Sequence, residues 1–246
     1  MPCVASLNEF HQAIAGFAVA DLGLVIEPAA LAAGRQSLDS AGLLLVGETH
    51  GVAENPLLIR ALMQAFGLTS LALEWGERLA PVIEGFLARG TLADHRWLWS
   101  GDGRITAGHL AVLAERAAAG PLQLILFDGV IGADWSWSQQ DEAMARRLLA
   151  ASPPGTRTLA VARGYHTPTT PIELGVPMGA WLARQRPGIR EIQIRYGGGH
   201  FYNCEPRQFD RRMSPQQPIR LHRHDGELVL DLPVASEAVV PHRPQP

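Results

Sequence analysis

Six short apolar runs punctuate the chain: LLLVGE (43–48), SLALEW (70–75), LQLILFD (122–128), RTLAVAR (157–163), REIQIRY (190–196) and ELVLDL (227–232). The first four are nearly continuous in apolar residues, the pattern of strands buried on both faces of a parallel sheet. ELVLDL alternates more and follows a polar stretch rich in Pro and Arg (206–224), which marks it as a candidate antiparallel edge strand. Between the runs lie helical patterns. PLLIRALMQAF (56–66) has Asn55 as a candidate N-cap and Pro56 at the first helical position. ERLAPVIEGFLARG (77–90) and ITAGHLAVLAERAAAG (105–120) both end in glycine. SWSQQDEAMARRLLAA (136–151) opens on two serines able to cap it, with acids in its first turns, and MGAWLARQ (178–185) is a shorter helix.

This strand–helix alternation predicts an α/β fold, one domain over residues 1–246 with a core at about 40–200. Its mostly parallel sheet would be flanked by helices. Segment 91–104, with two tryptophans and two glycines, reads as a lid or cap loop, and the Pro-rich C-terminus from Pro233 reads as loose.

In an open parallel sheet, ligands bind beyond the carboxyl ends of the strands. Ionisable groups follow several of the predicted strands at that point. The first ends in Glu48 and runs on to His50 and Glu54. The second carries Glu74, the third ends in Asp128, and the fourth runs into Arg163, Tyr165 and His166. The fifth leads through Arg195 to the glycines before His200. His50 and His166, far apart in sequence, would therefore meet at one rim. Two imidazoles beside carboxylates either bind a divalent metal whose water becomes a nucleophile, or activate water directly. The residue types leave both open. His109, on an Ala-rich helix, reads as a core or surface histidine. His95, His222 and His224 are weaker candidates, and Trp97, Trp99, Trp135 and Trp137 read first as packing.

Composition narrows the classes. The chain has 246 residues, 47% hydrophobic and 18% charged, with net charge -3. That charge gives no basic face for nucleic acid. No apolar stretch approaches the roughly 20 residues needed to span a bilayer, so no membrane partner is expected. The N-terminus does not read as a signal peptide, and two cysteines make no disulfide framework, so the expected location is cytoplasmic. No P-loop, G-x-G-x-x-G, H-E-x-x-H or G-x-S-x-G motif occurs. Cys204 near His200 is a minor candidate nucleophile.

LLLVGETHGVAENPLLIRAL, LALEW, QDEAMARRLL and GYHTPTTPIELGVPMGAWL together resemble the superfamily uniting ChaN-like haem-binding proteins, erythromycin esterases and Tiki-type proteases, over residues 40 to 185. Gly47-Glu48-Thr49-His50 resembles the ChaN-type G-E-x-H. Relative to the esterase pattern, one residue between glutamate and histidine is missing. QDEAMA resembles a segment shared by both branches, with Gln140 where Arg is usual, and GYHT resembles the second Gly–His motif. The resemblance implies that His50, Glu74 and His166 carry activity or ligand binding. The esterase branch implies water activation against a lactone without metal. The Tiki branch implies a divalent metal, held here by His50, Glu74 and His166, and peptide cleavage. The ChaN branch implies haem, for which Tyr165, Tyr202, His166 and His200 are the available ligands.

The leading expectation is therefore a hydrolase acting on an ester, lactone or amide of a small molecule or peptide, with or without a divalent transition metal. His50, Glu74, His166 and Glu48 are its catalytic set. Glu54, Asp128, Arg163, Tyr165, Arg195 and His200 are candidates to hold substrate. A haem- or metal-binding protein without catalysis, and a natural-product or peptide tailoring enzyme, stand as alternatives.

Overall fold

A computed structural model describes residues 3–129 and 134–243. In chain order the elements are β1 (Cys3–Val4), α1 (Leu7–Gly16), β2 (Val25–Ile26), α2 (Pro28–Ala41), β3 (Leu43–Glu48), α3 (Asn55–Phe66) and β4 (Ser70–Gly76). A 3-10 turn (Glu77–Leu79) leads into α4 (Ala80–Arg89), and a second (Arg96–Trp99) precedes α5 (Ala107–Ala119) and β5 (Gln123–Asp128). Then follow α6 (Trp137–Ala151), β6 (Thr158–Arg163), α7 (Met178–Gln185), β7 (Arg190–Tyr196), β8 (Gly199–Asn203), β9 (Glu205–Phe209), β10 (Arg220–His224), β11 (Glu227–Leu232) and β12 (Val240–Pro241).

The main sheet has eight strands in the order β2-β10-β11-β7-β3-β6-β4-β5. The six from β11 to β5 run parallel; β10 is antiparallel to β11, and β2 runs with β10. The α/β class thus holds. β3 and β6 are buried nearly throughout, and alternate residues serve opposite faces. Leu44 and Val46 join the layer built from α1 to α5, while Leu43 and Leu45 join the layer of α6 and α7. Each such side chain removed from water contributes on the order of 2 kcal/mol, so a one-residue slip would expose neither face to solvent but would break both packings.

Several expectations are corrected. ELVLDL is antiparallel to one neighbour, as expected, but it is not an edge: β11 lies between β7 and β10 and is buried over most of its length. The strand at 123–128, expected to be buried on both faces, is itself a sheet edge with Gln123 exposed. Asn55 is not an N-cap but the first residue of α3. Glu54 takes the cap position without a side-chain cap, and the Asn55 amide is used elsewhere. The C-terminal segment is not loose over 233–243; 244–246 lie outside the described residues. Ala235, Ala238 and Val240 are buried, and β12 pairs with β1. The stretch 199–209 forms a β8–β9 hairpin rather than a loop, its Phe209 stacked on Tyr196 and Phe201.

Gly51 is where these outer segments meet. Its N–H donates to Gly103 O, and its carbonyl accepts from Tyr202 N and Ala238 N. Its φ is +77°, and an added Cβ would lie 1.7 Å from Tyr202 O, so only glycine fits. The segment read as a lid is therefore tied down at its end, with Leu98 and Trp99 in the core. Among the described residues no helix is long and apolar enough to cross a membrane.

Candidate active site

β3, β6 and β4 are neighbours in the sheet, with β6 inserted between two strands that precede it by a long stretch of chain. Their carboxyl ends bring Glu48, His50, Glu74 and His166 together, all buried. His50 follows β3 in a clamped turn. The Tyr196 hydroxyl accepts from Thr49 N (2.8 Å) and donates to Asn55 Oδ1 (3.0 Å), while Asn55 Nδ2 donates to Thr49 O (2.8 Å). Glu74 lies at an irregularity of β4: between the pairs Leu73–Leu126 and Gly76–Asp128, Glu74 and Trp75 face only Phe127 of β5. Such an extra residue bends a strand and re-aims its side chains.

Two imidazole–carboxylate pairs converge on Glu74. His50 Nδ1 donates to Glu48 Oε1 at 3.1 Å, and His166 Nδ1 donates to Asp141 at 2.8 and 3.0 Å. A carboxylate only accepts, so Nδ1 of each ring carries a proton and each Nε2 faces inward. His50 Nε2 lies 3.7 Å and His166 Nε2 3.8 Å from the same Glu74 Oε1. These are ionic rather than hydrogen-bonding distances. Glu74 Oε2 is held by Arg163 N at 2.7 Å. His50 Nε2 and Glu48 Oε2 are buried with no partner among the described residues. The Trp137 ring stacks on His166, centroids 5.6 Å apart.

The electrostatics follow from this geometry. Burial works against a charged His50, but Glu48 and Glu74 outweigh it and push the imidazolium up to about 9. Burial likewise opposes a charged His166, and Asp141 and Glu74 override it upward. For Glu74, burial favours the neutral acid, yet His50, Arg104 and His166 hold it well below the usual carboxylate range. Burial raises Asp141 and Asp128. His109, also buried and beside Trp75, is lowered by burial to about 4 and stays neutral, its Nδ1 on Thr106 Oγ1 at 2.9 Å.

The remaining candidates divide. Asp128 stands beside the centre, its Oδ2 accepting from Arg104 Nη1 at 2.6 Å. Arg163 contributes its backbone N–H, while its guanidinium lies over the exposed Tyr165 ring. Glu54 ties down the C-terminal segment by accepting from Ser236 N at 2.9 Å. Arg195 pairs with Asp231, which also holds His222, and none of the four central residues is among its partners. His200 is exposed on the hairpin and lines a separate crevice with Gly197–Gly199 and Arg211. Cys3 and Cys204 are free thiols.

Two residues escaped the sequence reading. Asp141 is fully buried on the stripe Asp141, Met144, Ala145, Leu148 of α6. A carboxylate at the head of an apolar i, i+3, i+4, i+7 stripe requires a partner, and Asp141 also lies in the QDEAMA segment of the resemblance; either signal pointed to it. Arg104 bridges Asp102 (2.7 Å), Asp128 and Glu74 (3.6 Å); nothing in its Gly-rich surroundings marked it.

The donor chemistry of two carboxylate-backed imidazoles and a carboxylate is of a kind that supports metals. The arrangement nevertheless fits a resident divalent ion poorly. The Arg104 guanidinium already lies 3.6 Å from the carboxylate oxygen an ion would need. Among the described residues no three His, Cys, Asp or Glu side chains are placed to hold one. The four haem-ligand candidates do not gather either: His166 is engaged by Asp141, Tyr202 OH by Cys204 O and His242, and Tyr165 and His200 lie exposed.

Fold and site thus define an α/β protein with a buried His–carboxylate centre at the carboxyl rim of its parallel strands. No protein-family model and no curated protein matches the chain. A solved structure from Bacillus cereus is similar in fold, with TM-score 0.55 and 11% identity, over 96% of this chain and 100% of that one. A structure described as bacterial protein toxins aligns with 76% of this chain at 18% identity and TM-score 0.47, and this chain spans 39% of its length. The type III effector HopBA1 aligns over 84% of this chain and 92% of its own, at 14% identity and TM-score 0.45.

Proposed function

We propose that the chain is a metal-independent hydrolase of the superfamily it resembles, activating water against an ester, lactone or amide. The observation that carries this reading is the convergence of two carboxylate-backed imidazoles on one oxygen of Glu74. His50, with Nδ1–H fixed by Glu48, takes a proton from water at Nε2. The water oxygen then attacks the substrate carbonyl. His166, protonated and fixed by Asp141, donates from Nε2 to the developing oxyanion. On collapse of the tetrahedral adduct, His50 returns its proton to the leaving oxygen or nitrogen. Glu74 stays ionised and holds both Nε2 atoms toward one point, so that a general base and a general acid can act on the same carbonyl.

Because His50 is held protonated up to about 9, the base form is scarce at neutral pH. The rate should therefore climb as pH rises and His50 unloads, and fall once His166 loses the proton it must donate. The test is turnover of p-nitrophenyl esters, a lactone panel and anilides in chelator-containing buffer, for wild type, His50→Gln and His166→Gln. Loss of about 10²–10⁴-fold in kcat/KM in both variants, with the fold intact, is expected for removal of a general acid or base. Near wild-type rates in His50→Gln would refute the assignment, as would activity abolished by the chelator in wild type.

A further inference from the structure

A second feature adjoins this centre and the mechanism does not use it. A cavity of about 330 Å³ opens at the carboxyl ends of β4 and β5. Leu79, Ile105 and Trp97 give it apolar walls, and Asp102, Arg104 and Asp128 form its polar end. Trp97 is 43% exposed although it is a large aromatic ring in a short 3-10 turn. Exposed aromatic surface at the mouth of a concave site is what ligand stacking uses.

The polar end is not neutral in its demands. Arg104 is the wall between cavity and catalytic centre, and it serves three carboxylates: Asp102, Asp128 and Glu74. Asp128 spends Oδ2 on Arg104, while its Oδ1 is buried without a partner among the described residues. Leaving a buried carboxylate oxygen unpaired costs more than a neutral group would. Further charges at the rim do not reverse the balance. Glu77 pairs with Arg147 at 3.7 Å, and Arg78 stands at the edge of the 3-10 turn. A ligand carboxylate would meet an arginine already shared by three acids. A ligand N–H would meet an oxygen that lacks one.

We propose that this cavity is the specificity pocket of the enzyme and takes a single-ring or similarly compact apolar group bearing an ammonium, whose N–H is received by Asp128 Oδ1. The assignment rests on the reading of the His50–Glu74–His166 centre as catalytic. One guanidinium separates the two sites, so a substrate anchored at Asp128 would extend its scissile carbonyl past Arg104 toward Glu74. The volume is near the lower end of the roughly 300–1,000 Å³ common for ligand pockets, which selects a small head group rather than a macrocycle or long peptide.

The test is binding, read by calorimetry on the full chain with three probes of one shape: 2-phenylethylamine, 2-phenylethanol and 3-phenylpropionate. The amine should bind about tenfold or more tighter than either other probe, the scale of one charge-assisted hydrogen bond. Asp128→Asn should erase that preference. Trp97→Ala, at an exposed position that folding tolerates, should weaken all three probes by a similar factor. His50→Gln should leave amine binding unchanged. Equal affinity for amine and carboxylate in wild type, or an amine preference that survives Asp128→Asn, would overturn the proposal. Hydrolysis without amine selectivity would sink the pocket and spare the catalytic reading. Amine selectivity in a protein that cuts no ester or amide would do the reverse.

Discussion

Raising the pH should unload His50 and weaken the fold by a calculable amount. In the unfolded chain the imidazole titrates near 6.5, and in the folded protein near 9. A histidine whose folded value is raised contributes stability that is fully present below the unfolded value and lost as pH rises through the folded one. His50 is 3% exposed, so solvent screening removes little of the effect. The difference corresponds to about 3 kcal/mol, lost between about pH 6 and 9.5, a large part of a typical domain's net stability. The comparison isolates His50 because wild type and variant share every other titrating side chain. At the lower end of the window, burial pushes Glu191 up to about 7, so the loss it causes is finished before most of His50 discharges. His166, raised in the same sense, adds to the wild-type slope. The assay is urea denaturation at constant ionic strength across pH 6 to 9.5, on wild type and His50→Gln. Wild type should lose about 3 kcal/mol more than the variant over that range. Parallel curves, or a wild type that gains stability with pH, would refute the claim that Glu48 and Glu74 overcome the cost of burying this imidazolium. The same attraction, seen from Glu74, predicts stability present above its unfolded value of 4.5 and lost only as pH falls well below it. It is one interaction and is counted once.

Further predictions follow from single contacts. Glu48→Gln replaces the carboxylate charge that lifts His50 with a neutral amide, so the loss of stability with pH and the rise of rate with pH should both move toward lower pH, which titration of either quantity would show. Asp141→Asn leaves either His166 Nδ1–H or Met178 N–H, which donates at 2.7 Å, without its acceptor. The expected cost is about 1–3 kcal/mol in denaturant midpoint, with turnover reduced as His166 loses its fixed orientation. Gly51→Ala should destabilise by about 3 kcal/mol or more, because strain at positive φ adds to a clash with Tyr202 O. Gly67→Ala, with φ +64° and open space around it, should cost only about 1 kcal/mol; comparable losses at the two sites would refute the packing argument.

Much was legible because it is local. The runs at 43–48, 190–196 and 227–232 and the helix at 178–185 coincide with β3, β7, β11 and α7, since apolar periodicity and terminal glycines act within a few residues. The caps were partly legible: Ser136 does form a capping box with Gln139, while Asn55 was drawn from capping into the clamp on Thr49. β1, β2 and β12 were not legible, because their pairing partners lie on distant segments and two-residue strands carry no period of their own. β8 and β9 pair locally with each other, but their residues, nearly all exposed or half-buried, form no apolar run. The burial of 235–240 was hidden for the same reason, as the prolines around it signal only the absence of helix.

By itself the sequence determined that parallel strands would end in Glu48, His50, Glu74 and His166, because burial and strand-end position are encoded residue by residue. Only the tertiary structure decided that β3, β6 and β4 are adjacent, that both imidazoles share one carboxylate oxygen, and that Asp141 and Arg104 complete the set. Strand order and side-chain pairing are properties of contacts between distant residues, and no local pattern in a single chain specifies them. The charge state of the centre belongs to the same category, since burial and ion pairing pull His50 in opposite directions and only distances decide which wins.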